Sequence, residues 1–407
     1  MPNVISGAEV FLEDHLDLVA GLRVGLITNP SGVDHLRRSM IDRFAGHPRI
    51  TLVALFSPEH GIRGSAEAGE YVPFEVDGKT GLPVFSLYGQ HRSIELDQRD
   101  RLDEIMRTFD TREEGKVPEE DMIEDLDVLI FDLQDVGTRI YTYAATMAYC
   151  MRVCARRGIR FLVLDRPNPI NGVTMEGPVL EYPAYSSFVG IYPIPLRHGM
   201  TVGELALLFN DLFLEQEADL TVIPLRGWER EMWFDQTGLP WVQPSPNLPT
   251  LAAVTVYPGQ VLWEGTNASE GRGTARPFEQ CGSPWIEGQS LADQLNRLAL
   301  PGVLFQGICF RPGFSKFAGA ECSGILLEVT KRDLYRPLDS TLHILEAVME
   351  LYPDQMMFHE EYFDKITGTG RVRLALQEGI PAAEIACEFE VPLAEFAELR
   401  RPYLLYP

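Results

Sequence analysis

The sequence predicts an α/β protein in which a domain built on a mostly parallel sheet is followed by a smaller α+β domain. At 407 residues, the chain is too long for a single core of roughly 100 to 200 residues. Short apolar runs alternate with helical patterns through the first half, as in βα units. Beyond a stretch rich in Pro and Gly at 228–249, this alternation ends. We therefore place the domains at 1–240 and 241–407.

Six apolar runs of the first domain have the length of parallel strands. They lie at 22–27, 52–56, 84–87, 128–131, 161–164 and 220–223. Helices are predicted at 142–156 and 201–213, and Thr201 and Glu204 have the spacing of a capping box at the start of the second. The highly charged segment 112–127 is predicted to be an exposed loop.

The second domain mixes both kinds of element, as α+β domains do. Strands are predicted at 253–257, 303–311 and 325–329, and helices at 291–298, 338–351 and 393–400. We therefore expect a small sheet with helices packed against it.

The formal charge of -24 results from 35 Lys plus Arg against 59 Asp plus Glu. Because this charge repels phosphates and anionic lipids, we expect neither nucleic acid nor a membrane as a partner. Residues 1–21 contain no Lys or Arg, unlike the start of a signal peptide. We expect a cytoplasmic protein, or an extracytoplasmic one if a leader is missing from this chain. The sequence does not indicate an oligomeric state.

Polar side chains follow the strands of the first domain where each predicted strand ends. They are Asn29 after the first strand, Glu59, His60 and Arg63 after the second, Asp132, Asp135 and Arg139 after the fourth, and Asn168 after the fifth. The carboxyl ends of parallel strands share one edge of an open α/β sheet, where such folds bind their ligands. We expect these residues to form one site, joined by Glu176 and His198 from later loops.

Two carboxylic acids can split a glycosidic bond, since one protonates the leaving oxygen while the other acts at the anomeric carbon or through water. Glu59 is our first candidate for a catalytic residue, and Glu176 is the candidate for the second. The alternatives are structural. Glu59 would then be a loop carboxylate paired with Arg63, and Glu176 a solvated turn residue.

The other polar residues of these loops each have two interpretations. Asp132 and Asp135 either contact the ligand or bind backbone N–H groups of their own turns. Arg139 either pairs with them or binds a substrate carboxylate through two hydrogen bonds. His60 and His198 either transfer a proton or orient a neighbour. A metal centre built from these histidines and aspartates is conceivable, but no motif such as H-E-x-x-H is present, and we predict no metal.

The segment 263–274 is polar, rich in glycine and flanked by aromatic residues. Aromatic faces pack against sugar rings while polar groups fix the hydroxyls. Glu264, Asn267, Arg272 and Thr274 are therefore candidate sugar ligands. The alternative is a tight structural loop whose glycines adopt positive φ.

Several common cofactor and nucleophile motifs are absent from the sequence. It contains no G-x-G-x-x-G after a strand, no G-x-x-x-x-G-K-[ST] and no G-x-S-x-G. Dinucleotide oxidoreductases, P-loop NTPases and serine α/β-hydrolases are therefore disfavoured, and we predict no cofactor.

With these residues in view, the chain resembles the NamZ-type exo-β-N-acetylmuramidases, a glycoside hydrolase family, nearly from end to end. The resemblance rests on ordered motifs: GLITNPSG at 25–32, PEHG at 58–61, FDLQDVGTR at 131–139, LDRPNP at 164–169, EGP at 176–178, YPIPLRHGMT at 192–201, PSPN at 244–247, EGTN at 264–267 and GRGT at 271–274. The charged segment 112–127 and the lack of a signal peptide depart from the family pattern.

The resemblance implies a Rossmann-like first domain and an auxiliary second domain that closes a cleft. Members release terminal N-acetylmuramic acid from the non-reducing ends of peptidoglycan-derived chains, and the family's proposed catalytic glutamate falls on Glu59. The PSPN motif adds Asn247 to the candidate substrate ligands. The lactyl carboxylate of the substrate needs a cation, for which Arg63, Arg139 and Arg272 are candidates. A non-catalytic muropeptide-binding protein and a metal-dependent hydrolase are the alternative functions.

Overall fold

The protein is described by a computed structural model that covers residues 4–58, 62, 75–87 and 120–407. These residues contain twelve strands: β1 Arg23–Thr28, β2 Thr51–Ser57, β3 Glu75–Val76, β4 Pro83–Ser86, β5 Val128–Asp132, β6 Arg160–Leu164, β7 Glu176–Val179, β8 Pro195–Arg197, β9 Leu220–Ile223, β10 Gln280–Ser283, β11 Val303–Phe310 and β12 Cys322–Val329. Seven of them form the main sheet, in the order β3-β4-β2-β1-β5-β6-β9.

The main sheet is doubly wound. Every neighbouring pair is parallel except β3 and β4. From β1 the chain moves outward through β2 and β4, then returns to the other side of β1 for β5, β6 and β9. The prediction of a Rossmann-like sheet is therefore confirmed, and all six predicted strands are present within one residue at each end. The direction of winding reverses between β1 and β5, which is where such sheets open a ligand crevice.

Helices cover both faces of this sheet because successive strand residues point to opposite sides. Leu26 and Ile130 pack on the side of helices Gly7–Asp14 and Met40–Ala45. Their neighbours Ile27 and Phe131 pack on the other side, where helices Tyr143–Arg157 and Val202–Leu212 lie. The predicted capping box is present, since the Thr201 side chain accepts from the Glu204 N–H and the Glu204 side chain accepts from the Thr201 N–H.

The second half contains an antiparallel sheet in the order β10-β12-β11, as expected from the predicted strands at 303–311 and 325–329. Its helices are Leu251–Gln260, Gly288–Arg297, Pro337–Leu351, Glu360–Thr367, Arg371–Gln377, Ala382–Cys387 and Glu390–Arg400. One hydrophobic cluster continues from the main sheet into this half, from Ile27 to Phe396. The predicted domain boundary lies in the segment 237–250, which has no helix or strand.

Two predictions of local structure differ from the structure. The predicted strand at 253–257 is wrong, because these residues belong to helix Leu251–Gln260, capped by the Thr250 side chain. The run is rich in β-branched residues and nearly all of it is buried, so it lacks the one-sided pattern that marks a helix. The predicted loop 112–127 contains a short helix, Glu120–Ile123, and residues 112–119 lie outside the described residues.

None of the helices in the described ranges is both long enough and apolar enough to cross a membrane.

Candidate active site

The loops that follow β1 and β5 meet at the point where the winding of the sheet reverses. Asn29, the first residue after β1, accepts hydrogen bonds from the backbone N–H and the Oγ of Ser31. Ser31 Oγ in turn accepts from the backbone N–H of Gln134, in the loop after β5, at 3.3 Å. All three side chains are buried. We call the region formed by 28–32, 132–135 and 165–168 the switch-point crevice.

Asp132 and Arg166 form a buried ion pair in the switch-point crevice. Asp132 Oδ1 lies 2.7 Å from Arg166 Nε, while Asp132 Oδ2 is buried and has no hydrogen-bond partner among the described residues. The β1 loop approaches this pair closely. A Cβ at Gly32 would lie 2.1 Å from Thr28 Oγ1 and 3.1 Å from Asp132 Oδ2. Any larger residue at this position would therefore force the Thr28 side chain to move.

The PSPN segment is tied to the same crevice. Asn29 Nδ2 donates to Tyr143 Oη at 2.7 Å, and Tyr143 Oη donates to the Pro244 carbonyl at 2.7 Å. Asn247 is buried, and its Nδ2 has no hydrogen-bond partner in the part of the chain that the structure describes. Asn29 is therefore held by contacts within the protein, whereas the amide of Asn247 keeps a free donor.

Asp135, Asn168 and His198 fix neighbouring loops. Asp135 accepts from the Gly137 N–H at 2.7 Å, and Asn168 bonds the Met200 carbonyl and the Ile170 N–H. His198 Nδ1 accepts from the Met200 N–H at 3.2 Å. This bond assigns the ring proton to Nε2, which lies 3.5 Å from an Asp135 oxygen.

Glu176 lies at a joint between the two halves of the chain. Its Oε1 accepts from the backbone N–H groups of Leu338 at 2.7 Å and Asp339 at 3.2 Å, so it caps helix Pro337–Leu351. Burial raises the pKa of Glu176 to about 7, although the charge of Arg197 acts in the opposite direction. Glu176 is buried rather than a solvated turn residue.

Arg139 is also a structural link. Its guanidinium donates to the carbonyls of Pro178 and Ile194 in the first half and of Ile366 and Thr367 in the second, at 2.7 to 2.9 Å. The last two carbonyls belong to the end of helix Glu360–Thr367. Burial lowers the pKa of Arg139 to about 9, which still leaves it charged at neutral pH. These contacts indicate a structural role instead of the predicted binding of a substrate carboxylate.

The segment 263–274 is held by its own side chains. Arg272 donates to Glu264 Oε1 at 2.6 and 3.0 Å, and Glu264 also accepts from Tyr362 Oη at 2.9 Å. Asn267 bonds the backbone of residues 355 and 357, and Thr274 bonds the Gly271 carbonyl. Gly271 and Gly273 have φ of 80° and 79°. This arrangement agrees with the alternative of a tight structural loop.

A row of aromatic rings joins this segment to the switch-point crevice. The ring centroids of Tyr143 and Tyr141 are 4.6 Å apart, those of Tyr141 and Tyr257 are 6.4 Å apart, and those of Tyr257 and Phe278 are 4.8 Å apart. Arg272 lies over Phe278 at 5.1 Å. The structure thus connects the two candidate regions, although within the described residues no hydrogen bond runs directly between them.

Glu59, His60 and Arg63 lie outside the described residues. The structure does describe Ser57, the buried last residue of β2, which pairs with Ser86 of β4. The strand that leads to Glu59 therefore ends at the same edge of the sheet as β1 and β5. In the parts of the chain that the structure describes, no three His, Cys, Asp or Glu side chains are grouped as metal ligands.

Sequence reasoning missed Arg166, although the residue directly follows a predicted strand in the LDRPNP motif. The position of a charged residue at a strand end was the available signal. What the sequence did not contain was the pairing of its Nε with Asp132, 34 residues earlier.

Comparison with known proteins gives consistent similarities over the whole chain. Residues 24–112 and 103–252 match a family profile described as "Exo-beta-N-acetylmuramidase NamZ, N-terminal", and residues 255–406 match the corresponding C-terminal profile. The chain is 46% identical over 406 residues to the "Peptidoglycan beta-N-acetylmuramidase NamZ" of Bacillus subtilis (strain 168). The aligned region covers 100% of this chain and 92% of that protein.

Two crystal structures of DUF1343 family proteins from Bacteroides fragilis NCTC 9343 are also similar. One has a TM-score of 0.87 and 33% identity, with 100% of both chains covered. The other has a TM-score of 0.77 and 31% identity, with 99% of both chains covered.

Proposed function

This chain belongs to the NamZ family of exo-β-N-acetylmuramidases, and we propose that it releases terminal N-acetylmuramic acid from the non-reducing ends of peptidoglycan fragments. The observation that carries this function is the 46% identity to a peptidoglycan β-N-acetylmuramidase over 100% of the chain. The protein is therefore a glycosidase with a peptidoglycan-derived substrate. The polar switch-point crevice lies where a Rossmann-like sheet binds its ligand.

We propose Glu59 as the residue that protonates the leaving oxygen of the glycosidic bond. Glu59 comes two residues after the end of β2, next to β1 in the sheet. As the bond breaks, positive charge develops on the sugar ring. Asp132 ends β5, on the other side of β1 from β2. Its unpaired carboxylate oxygen would stabilise that positive charge.

Glu176 has the raised pKa of a general acid, but its contacts support a structural role. Its carboxylate already accepts two backbone N–H groups from the second half. A carboxylate bound in this way would have to leave the helix end to reach a substrate. We therefore propose that Glu176 joins the halves and that Glu59 carries out the proton transfer.

The experiment uses a chromogenic β-glycoside of N-acetylmuramic acid. We expect the wild-type protein to release the chromophore and Glu59→Gln to lower kcat by roughly 100- to 10,000-fold, because general acid catalysis contributes about that much. Glu398→Gln is the matched control, since Glu398 is exposed and pairs with Arg401. It should keep the wild-type rate.

The same assay separates the alternative functions. No turnover combined with tight binding of the sugar would indicate a muropeptide-binding protein. Loss of turnover on chelation, restored by a divalent metal, would indicate a metal-dependent hydrolase. Turnover that Glu59→Gln leaves unchanged would contradict the role of Glu59.

A further inference from the structure

We propose that Arg166 binds the lactyl carboxylate of the substrate and thereby makes the crevice specific for N-acetylmuramic acid over N-acetylglucosamine, the same sugar without the lactyl group. This inference rests on the proposed function, which supplies a substrate with one carboxylate. A carboxylate enters a buried site of an acidic protein only if a cation meets it there.

The described part of the chain contains five buried arginines: Arg139, Arg166, Arg197, Arg230 and Arg400. All of them except Arg166 donate to backbone carbonyls at 3.3 Å or less, and two of these four also face a carboxylate. Arg139 binds four carbonyls, Arg400 donates to the carbonyls of 172, 198 and 199, and Arg230 binds Glu204 together with two carbonyls. Arg197 bonds the Ile170 carbonyl and lies 3.8 Å from the Glu176 carboxylate.

Arg166 differs from these four because it lies in the switch-point crevice, where the two terminal nitrogens of its guanidinium have donors to spare. Its Nε is held by Asp132 at 2.7 Å. Within the described residues, Nη2 has one long contact, 3.4 Å from the Val33 carbonyl, and Nη1 makes no hydrogen bond. The edge formed by Nη1 and Nη2 is the one that binds a carboxylate through two parallel hydrogen bonds.

The surroundings of Arg166 suit this task. Arg166 lines a small cavity together with Ser31, Gln134 and the apolar side chains Leu239 and Val242. Apolar walls lower the local dielectric and so strengthen an ion pair. The two apolar residues belong to the segment 237–250, which has no helix or strand.

Asp132 acts as the positioning residue for Arg166. It is fully buried and holds the guanidinium from one side, so that the plane of the free edge is fixed before the substrate arrives. Such preorganisation reduces the entropy lost on binding. Within the described residues, the Asp132 side chain makes no other hydrogen bond, so no second donor competes with Arg166 for it.

The test measures binding rather than turnover. Calorimetry gives the Kd of N-acetylmuramic acid, its methyl ester and N-acetylglucosamine for the wild type, Arg166→Gln and Arg166→Lys. We expect the wild type to prefer the free acid, and Arg166→Gln to bind it roughly 10- to 150-fold more weakly, as expected for hydrogen bonds to a charged group. Arg166→Lys keeps the charge but lacks the planar fork, so its loss should be smaller. Arg226→Gln, at an exposed arginine paired with Glu13 and Asp14, is the matched control.

Two results would overturn the inference. One is a wild-type protein that binds the acid and its methyl ester equally well. This result is obtained with the wild type alone, so it does not depend on whether a variant folds. The other is a folded Arg166→Gln that keeps the wild-type preference. A wild type that prefers the acid but hydrolyses no glycoside would refute the proposed function while supporting the carboxylate site.

Discussion

At the scale of single residues, Glu176 shows how burial sets the behaviour of an acid. Its folded pKa is raised to about 7 from an ordinary value of 4.5, first of all by burial. The folded protein therefore keeps this proton in a pH range in which the unfolded chain has released it. Stability contributed by this group is present below pH 4.5 and is lost as the pH rises to about 7.

Glu176→Gln should remove this pH dependence while keeping an oxygen that accepts from the Leu338 N–H. We expect the Tm of the wild type to decrease relative to the Tm of the variant as the pH is raised from 5 to 8. The raised pKa of Asp165 acts in the same direction, but it is common to both proteins and cancels in the difference. Thermal unfolding at several pH values measures the two Tm values. A wild-type Tm that rises relative to that of the variant as the pH rises would contradict the assignment.

The sequence was sufficient to select most of these residues but not to assign their partners. Asp132, Asp135 and Asn29 were expected at one edge of the sheet because they follow strands, and the structure brings them there. Arg139 was a candidate for the substrate carboxylate, yet two of its carbonyl partners lie more than 200 positions away, at 366 and 367. Contacts over that distance depend on how the halves pack, which local patterns do not encode.

At the scale of elements, the end of helix Glu360–Thr367 depends on Arg139. The last carbonyls of a helix have no partner within it, and here the guanidinium binds those of Ile366 and Thr367. The same side chain binds carbonyls of Pro178 and Ile194. One cation therefore ties the helix to the first half of the chain.

Arg139→Met should be strongly destabilising, because it leaves four carbonyls without their donor. Since hydrogen bonds to a charged group each contribute about 1.5 to 3 kcal/mol, we expect the free energy of unfolding to fall by at least about 3 kcal/mol. Urea denaturation measures this change. Arg311→Met, at an exposed arginine paired with Glu321 at 3.4 Å, should change it by less than about 1 kcal/mol. Equal effects of the two substitutions would argue against the link.

Elements of the first half were predictable because parallel strands are short apolar runs bounded by turn residues. The helix Leu251–Gln260 was not, because five successive residues rich in Val, Thr and Tyr have the composition of a strand. Its Ala253, Val254, Val256 and Tyr257 are all buried. A helix enclosed on most sides by the core has no polar face, and its periodicity disappears.

At the scale of the whole molecule, the last residues of the chain pack against the first domain. Tyr406 Oη donates to an oxygen of Asp165, the first residue after β6, and accepts from the Leu225 N–H at 2.9 Å. Its ring packs edge-on against Trp228, with 5.0 Å between centroids. Together with the continuous hydrophobic cluster, these contacts favour unfolding of both halves as one unit. The domain boundary at 240 and 241 stays a prediction.

Tyr406→Phe tests this coupling, since it removes only the hydroxyl that joins the chain terminus to Asp165. We expect the free energy of unfolding to fall by about 1 to 3 kcal/mol, the cost of leaving buried polar groups unpaired. The Tyr406 hydrogen bond lowers the pKa of Asp165, which burial raises to about 7. The bond therefore favours the ionised carboxylate. The substitution should thus lower the free energy of unfolding by more at pH 8 than at pH 5.5.

The readouts are tryptophan fluorescence, to which Trp228 beside the tyrosine contributes together with the other four tryptophans, and circular dichroism, which reports on the helices of both halves. If the halves unfold as one unit, both signals should shift to lower denaturant by the same amount. Tyr182→Phe is the control, since Tyr182 is half exposed and its ring contacts survive the substitution. Shifts of different size in the two signals would show that the halves do not unfold as one unit and that Tyr406 does not couple them.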